Sequence, residues 1–169
     1  GALGVRFSMG HDSGHVVNAS ALVVTSAVPC DHPELVAARD LGIPVLKRAE
    51  ALGAWVNQGK VVAISGTHGK TTTTAMATEI LAQGGLDPTG LVGGRVRGWA
   101  GNLHRGSDHL FVVEADEYDR SFHTLEPDIA VVTNVEADHL DVYGDYQGVR
   151  TGFVEFLDNL RSPGKVIAC

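Results

Sequence analysis

A glycine-rich stretch that begins at Gly66, GTHGKTTTT, has the composition of a phosphate-binding loop. Gly66 and Gly69 permit a tight turn, after which unpaired N–H groups at a helix start can face an anion. Lys70 can neutralise phosphate charge, and the Thr71 hydroxyl can reach Mg²⁺. The spacing is a compact variant of the common phosphate loop, because Ile64 stands where that pattern has its first glycine.

The order of elements favours phosphate binding over a chance Gly-Lys pair at a threonine-capped helix start. An apolar run typical of a buried strand precedes the loop, and a run typical of a helix follows it. We therefore predict nucleotide contacts along the whole loop, from Gly66, Thr67, His68, Gly69, Lys70, Thr71 and Thr72.

A second group of polar residues, VVEADEYD, follows another predicted strand and holds four carboxylates in six residues. In an open parallel sheet, ligands bind at the carboxyl ends of the strands. Glu114 is nearest the strand and is the predicted Mg²⁺ ligand. Asp116, Glu117 and Asp119 fit a solvated turn equally well.

A third group, TNVEADHLD, follows the next strand. His139 could bind a second divalent ion or hydrogen-bond a phosphate, and Asp138 could orient its ring. The alternative is that this Asp-His pair only caps a helix. A second polar group at a second strand end favours a functional role for His139 and for the neighbouring Asn134.

Strand-like and helix-like runs alternate along the chain, which predicts an α/β fold with parallel sheets. We predict a partial, Rossmann-like N-terminal domain over residues 1–58. A phosphate-loop ATPase-type α/β domain, incomplete, is predicted over residues 59–169.

For three of the predicted helices we also predict a capping residue or a buried face. The first is capped by Asp31, and the last is capped by Asp145. The helix after the phosphate loop is predicted to bury one apolar face, made of Met76, Ala77, Ile80 and Leu81.

The amino-acid composition bears on the class of protein and on its cellular setting. The 169 residues carry a net charge of −7, which argues against a nucleic-acid-binding protein. Two cysteines and the lack of a long apolar run favour a reduced, cytoplasmic setting without a membrane segment. The first and last residues read as the interior of a longer sequence, so we expect a partial chain.

The three polar blocks GTHGKTTTT, EADEYDRSF and TNVEADHLDVYGD, in this order, resemble the Mur ligases of peptidoglycan synthesis. The resemblance implies an ATP- and Mg²⁺-dependent ligase that forms an amide bond. It implies that Lys70 contacts the γ-phosphate and that Thr71 and Glu114 bind one Mg²⁺. His139 would bind a second Mg²⁺, with Asn134 supporting the same site.

The resemblance also implies the substrates. Ser26 and His68 would lie near a UDP-sugar substrate. Some members carry a modified lysine in the helix after the Asp-His pair, whereas this chain has Phe153 near that place and no lysine over residues 140–158. In lacking this lysine, the chain resembles the branch of the family that joins L-alanine to UDP-N-acetylmuramate. The partial chain alone is expected not to complete that reaction.

Three alternatives remain open. One is the branch that joins a ready-made tripeptide during murein recycling, which shares all three blocks. The second is a phosphate-loop kinase or NTPase, which would leave the third polar block unexplained. The third is a nucleotide-binding module without turnover.

Overall fold

The computed structural model describes residues 4–169, and contacts divide the chain into two compact units, Gly1–Ala51 and Leu52–Cys169. The division lies inside one helix, α2 (Arg48–Val56), and so precedes the predicted boundary between residues 58 and 59. That boundary stays a prediction.

The first unit holds a two-stranded parallel sheet of β1 (Leu22–Val24) and β2 (Val45–Lys47), with α1 (Pro33–Asp40) between them in the chain. The predicted cap by Asp31 is wrong. Proline restricts the residue before it to an extended backbone, so His32 takes the N-cap position, with φ −58° and ψ 132°. Asp31 therefore lies one residue too early to cap the helix.

The second unit is built on a six-stranded sheet with the order β5-β4-β6-β3-β7-β8. Only the pair β4–β5 is antiparallel among the described strands, which confirms the predicted, mainly parallel α/β fold. The strands are β3 (Lys60–Ser65), β4 (Thr89–Leu91), β5 (Leu103–His104), β6 (Leu110–Glu114), β7 (Ile129–Val132) and β8 (Lys165–Ala168).

The helices of this unit are α3 (Lys70–Gln83), α4 (Leu140–Tyr143) and α5 (Tyr146–Asp158), and a 3₁₀ segment spans Tyr118–Thr124. The predicted cap of α5 is confirmed, because the Asp145 side chain accepts from the N–H of Gly148 at 2.8 Å. Phe153 and Phe156 of this helix are buried, as its spacing predicts.

The buried face of α3 differs from the prediction. Met76 and Ile80 are 59% and 65% exposed, whereas Thr74 and Thr78 are fully buried. The reason is close packing, since a Cβ on Gly90 of β4 would come within 2.6 Å of the Thr78 side chain. The buried Thr78 hydroxyl donates to the Thr74 carbonyl at 2.8 Å, which removes the cost of burying it.

One hydrophobic core supports the ends of the central strands. It joins Val61, Phe111 and Ala130 of the sheet to Phe122 and Phe156, whose stacked ring centroids lie 4.9 Å apart. Among residues 4–169, no helix combines the length and the apolar character that crossing a membrane requires.

Candidate functional site

Three neighbouring strands end at the same edge of the large sheet. In the parallel register, Ile64 of β3 lies opposite Glu114 of β6, and Ser65 of β3 lies opposite Val132 of β7. The three polar segments predicted from the sequence follow these strand ends. The fold therefore brings the segments together, at the edge where parallel sheets bind ligands.

The glycine-rich loop is held by the residues that follow β7. The N–H groups of Thr67 and His68 donate to the backbone carbonyl and the side-chain oxygen of Asn134, at 3.1 and 2.8 Å. The His68 carbonyl accepts from the Asn134 amide at 3.2 Å and from the Thr133 hydroxyl at 2.7 Å. Asn134 thus fixes the loop's shape and occupies the N–H groups of Thr67 and His68, so the candidate anion donors are the N–H groups from Gly69 to Thr72.

Gly66 is the point of closest approach between the loop and β7. Its φ of 133° is one that other residues rarely adopt, and a Cβ there would overlap the Thr133 hydroxyl. Gly69 also has a positive φ, of 85°, and is the N-cap of α3. The two glycines turn the chain directly from a buried strand to a helix start that faces the cavity beside it.

This cavity has a volume of about 370 Å³, within the range of small-molecule sites. Its lining comprises Thr67, His68, Gly69, Lys70, Thr71, Thr72 and Glu114. All the predicted nucleotide-binding residues except the buried Gly66 therefore line one cavity, together with the predicted metal ligand of β6.

Thr71 and Glu114 form the predicted cation-binding pair. The Thr71 hydroxyl lies 2.8 and 3.0 Å from the two carboxylate oxygens of Glu114, and the Gly93 N–H donates to one of them at 2.7 Å. A hydroxyl and a carboxylate side by side are the oxygen ligands that Mg²⁺ prefers. The residues present therefore fit a Mg²⁺ ion.

Lys70 makes the most buried ionic contact of the site. Its Nζ donates to Glu117 Oε1 at 2.9 Å and to the carbonyls of Gly66 and Thr67 at 2.8 and 3.3 Å. Glu117 is only 2% exposed. The interpretation of Glu117 as part of a solvated turn is therefore wrong, and the site has a carboxylate that sequence reasoning did not assign.

His139 reaches the same carboxylate from the third segment. Its Nε2 lies 3.8 Å from Glu117 Oε1. It has a φ of 51° and is the N-cap of α4, but its side chain makes no capping hydrogen bond. The Asp138 side chain accepts from the His139 backbone N–H at 2.8 Å, so this bond holds the backbone of His139 and not its ring.

The two residues predicted to lie near a UDP-sugar occupy different units. The His68 side chain is 70% exposed, with Nδ1 4.0 Å from a carboxylate oxygen of Glu136. Ser26 is exposed in the turn after β1 of the first unit. Their substrate roles stay predictions.

The first unit contains a group of side chains of the types that can bind a metal ion. The potential ligand atoms of His11, His32 and Glu34 lie within 4.8 Å of one another. The Glu34 carboxylate also accepts from the Asp12 N–H and lies 2.7 Å from His15 Nδ1. The hydrogen bond with His15 is the main cause that lowers the pKa of Glu34. These bonds satisfy the carboxylate and attach the preceding segment to α1.

Two sequence families match the chain. The one described as the Mur ligase middle domain matches residues 64–169, and the one described as Mur ligase family, catalytic domain, matches residues 1–60. The chain belongs to the Mur ligase family. In this Mur ligase family member, the middle-domain match lies within the second unit, Leu52–Cys169.

Curated relatives extend the likeness over the whole length of the chain. The UDP-N-acetylmuramate–L-alanine ligases of Dechloromonas aromatica and Burkholderia ambifaria are 45% and 44% identical to it, over 98% and 99% of its residues. The chain spans only 36% of the length of either relative.

Solved structures share the fold. The UDP-N-acetylmuramate-alanine ligase of Thermotoga maritima superposes with a TM-score of 0.84 at 29% identity, covering 99% of this chain and 39% of its own. The UDP-N-acetylmuramate:L-alanyl-γ-D-glutamyl-meso-diaminopimelate ligase of Neisseria meningitides gives 0.83 at 28% identity, covering 99% and 57%.

Proposed function

We propose that this Mur ligase chain is the phosphate-binding part of an ATP-dependent ligase that joins L-alanine to UDP-N-acetylmuramate. The observation that carries the proposal is the convergence of Lys70, the Thr71–Glu114 pair and His139 at adjacent strand ends. Relatives of 44–45% identity that are named for this reaction support the choice of substrates.

The proposed reaction has two steps, and groups that line the cavity can stabilise the charge that develops in both. The substrate carboxylate attacks the γ-phosphate of ATP and forms an acyl phosphate with release of ADP. The amine of L-alanine then attacks the acyl carbon, and phosphate leaves. Both steps build negative charge on oxygen atoms, which Lys70 and the N–H groups at the start of α3 can stabilise.

Divalent cations would neutralise further phosphate charge when bound. Thr71 and Glu114 would hold one ion, and His139 would contribute to a second. Asn134 acts by holding the loop, since its bonds go to Thr67 and His68. Because Thr67 and His68 use their N–H groups in these bonds, their contacts with nucleotide would come from side chains.

Nucleotide binding tests the first part of the proposal. Calorimetry should show that ATP·Mg²⁺ binds the wild-type chain and binds Lys70→Ala at least about tenfold more weakly, because a phosphate contact is lost. Thr71→Ser keeps the hydroxyl and should retain the Mg²⁺ dependence of binding, whereas Thr71→Val should lose it. Equal affinities of the wild-type chain and a folded Lys70→Ala variant would contradict a phosphate-binding loop.

Trapping the intermediate tests the chemistry against a kinase. With ATP and UDP-N-acetylmuramate, the full-length protein that carries this sequence should form an acyl phosphate, which hydroxylamine converts to a hydroxamate. A kinase would phosphorylate a hydroxyl group and give no hydroxamate. Binding of ATP without either product would instead indicate a nucleotide-binding module.

The amine substrate needs its own experiment, since the Neisseria tripeptide ligase shares the fold nearly as closely. We expect phosphate release by the full-length protein to depend on L-alanine and not on L-Ala-γ-D-Glu-meso-diaminopimelate. The reverse dependence would favour the recycling ligase. The 169 residues alone should not turn over, because they span 36% of the length of the ligases that they resemble.

A further inference from the structure

We propose that Glu117 is a further ligand of the divalent cation held by His139, and that Lys70 exchanges Glu117 for a phosphate group when nucleotide binds. This inference rests on the proposed function, because it requires phosphate and a cation at the same strand ends. It assigns a role to Glu117, a buried carboxylate that the proposed Thr71–Glu114 ion site does not use.

The two oxygens of Glu117 have unequal surroundings. Oε1 accepts from Lys70 Nζ at 2.9 Å, whereas Oε2 is buried and has no hydrogen-bond partner among residues 4–169. A buried carboxylate oxygen without a partner is costly, because it has given up its hydrogen bonds to water. A divalent cation beside this carboxylate would reduce the cost, because the negative charge is shared by both oxygens.

The backbone around Glu117 holds the side chain inward. Its carbonyl accepts from the hydroxyl of Tyr143 at 2.6 Å, and the next turn is tied back by a 2.9 Å bond from the Phe122 N–H to the Asp116 carbonyl. Asp119 and Arg120 both have positive φ, of 51° and 54°, where the backbone of this segment kinks. The carboxylate is therefore fixed in place and is not a mobile surface group.

His139 lies at a suitable distance to share an ion with this carboxylate. Its Nε2 is 3.8 Å from Glu117 Oε1, and the imidazole is 31% exposed. Two ligands with bonds of about 2.1 Å to the same Mg²⁺ stand roughly 3–4 Å apart. The pair can therefore contact one ion without a large movement of either residue.

Lys70 and the proposed ion would bind Glu117 in turn, before and after nucleotide binding. The ammonium group is charge-balanced here by Glu117, with side chains 13% and 3% exposed. When a phosphate group binds Lys70, the buried Glu117 carboxylate loses its positively charged partner and is destabilised until another cation binds. A divalent ion beside His139 would restore the balance, so phosphate and the second ion should bind cooperatively.

The proposal is tested by counting bound Mn²⁺ from the loss of the free-ion EPR signal, with a non-hydrolysable ATP analogue present. We expect two ions per wild-type chain and one in Glu117→Gln, with two retained in the control Asp116→Asn. Asp116 belongs to the same turn but is exposed. Two ions in Glu117→Gln with wild-type affinity, or only one in the wild type, would overturn the proposal.

A second variant covers the case in which Glu117→Gln does not fold, as judged by circular dichroism. Glu117→Asp keeps the charge for Lys70 but shortens the side chain, so the second Mn²⁺ should bind at least about tenfold more weakly. Wild-type affinity in this variant would count against the proposal. Failure of the wild-type chain to bind the ATP analogue at all would instead contradict the phosphate-binding function proposed above.

Discussion

At the scale of single residues, the main electrostatic feature of the site is the ion pair of Lys70 and Glu117. Both side chains are largely buried, and the lysine has two further acceptors in the loop carbonyls. A charge in such a place depends on its partner, because water cannot replace it. The pair should therefore influence stability as well as ligand binding.

We predict strong coupling between these two residues. Lys70→Met leaves a carboxylate buried without its cation and should lower the unfolding free energy by about 3–5 kcal/mol. In the double variant with Glu117→Gln, the loss should be smaller than the sum of the two single losses by about 1 kcal/mol or more. Urea denaturation of the four proteins measures this, and additive losses would contradict the coupling.

We predict that the Tyr143 hydroxyl makes the unfolding free energy depend on pH. Burial is the main cause that raises the pKa of its hydroxyl from 10.0 to about 12. The folded state favours the neutral form, so this contribution is complete below pH 10 and is lost as the pH rises toward 12. Its size is at most about 2–3 kcal/mol, from the size of the pKa shift.

The measurement is the difference in unfolding free energy between the wild-type chain and Tyr143→Phe from pH 8 to pH 12. The variant also loses the hydrogen bond to the Glu117 carbonyl, so the difference should be largest below pH 10 and should shrink above it. Tyr118→Phe is the control, because Tyr118 is exposed. A difference that does not change with pH would rule out the shifted hydroxyl.

At the scale of elements, the loop and the end of β7 behave as one structure. Gly66 makes this possible, since its positive φ and the nearby Thr133 hydroxyl leave no room for a Cβ. Backbone and side-chain bonds of Asn134 then complete the contact.

Gly66→Ala should therefore cost about 1–3 kcal/mol of unfolding free energy, because it combines backbone strain with overpacking. Gly94→Ala is the matched control, since its Cβ would meet the Thr71 side chain at an ordinary 3.6 Å. Hydrogen exchange gives a local measure. The amides of Thr67 and His68 should exchange faster in Gly66→Ala and at the wild-type rate in the control.

At the scale of the whole molecule, the main core lies entirely within the second unit. Val56 of α2 is fully buried in it, and Leu52 packs against it. Asn57 bonds to the Thr124 carbonyl and to the Glu126 N–H. Residues before Lys60 therefore complete the second unit.

We predict that a fragment from Arg48 to residue 169 unfolds cooperatively on heating. A fragment from Lys60 to the same end should melt at a lower temperature, because it loses a buried valine and the hydrogen bonds that Asn57 and Gly59 make with the rest of the unit. Circular dichroism melting curves compare the two. Equal melting temperatures would instead favour a domain boundary between residues 58 and 59.

The sequence predicts much of this site because its main signals are local. Lys70 and Thr71 follow a glycine turn, and Glu114 ends a recognisable strand, so short-range patterns are sufficient to find them. Glu117 could not be separated from its exposed neighbours, since its contacts with Lys70 and Tyr143 join residues that are distant in the sequence.

Helix α3 shows the same limit for packing. Its apolar residues predicted the wrong buried face, because the space above the sheet is set by Gly90, which is distant in the sequence. Small threonines fit that space, and larger side chains do not. Periodicity identifies a helix reliably, but the shape of the neighbouring element selects the face that is buried.

The bonds from Asn134 to the glycine-rich loop have a kinetic consequence. A loop that must fold around its ligand loses conformational entropy on binding, and this weakens affinity and slows association. Here four hydrogen bonds from the end of β7 hold the loop in advance. For the nucleotide ligand proposed above, association should therefore be limited by diffusion and by movement of the Lys70 side chain, with little backbone rearrangement.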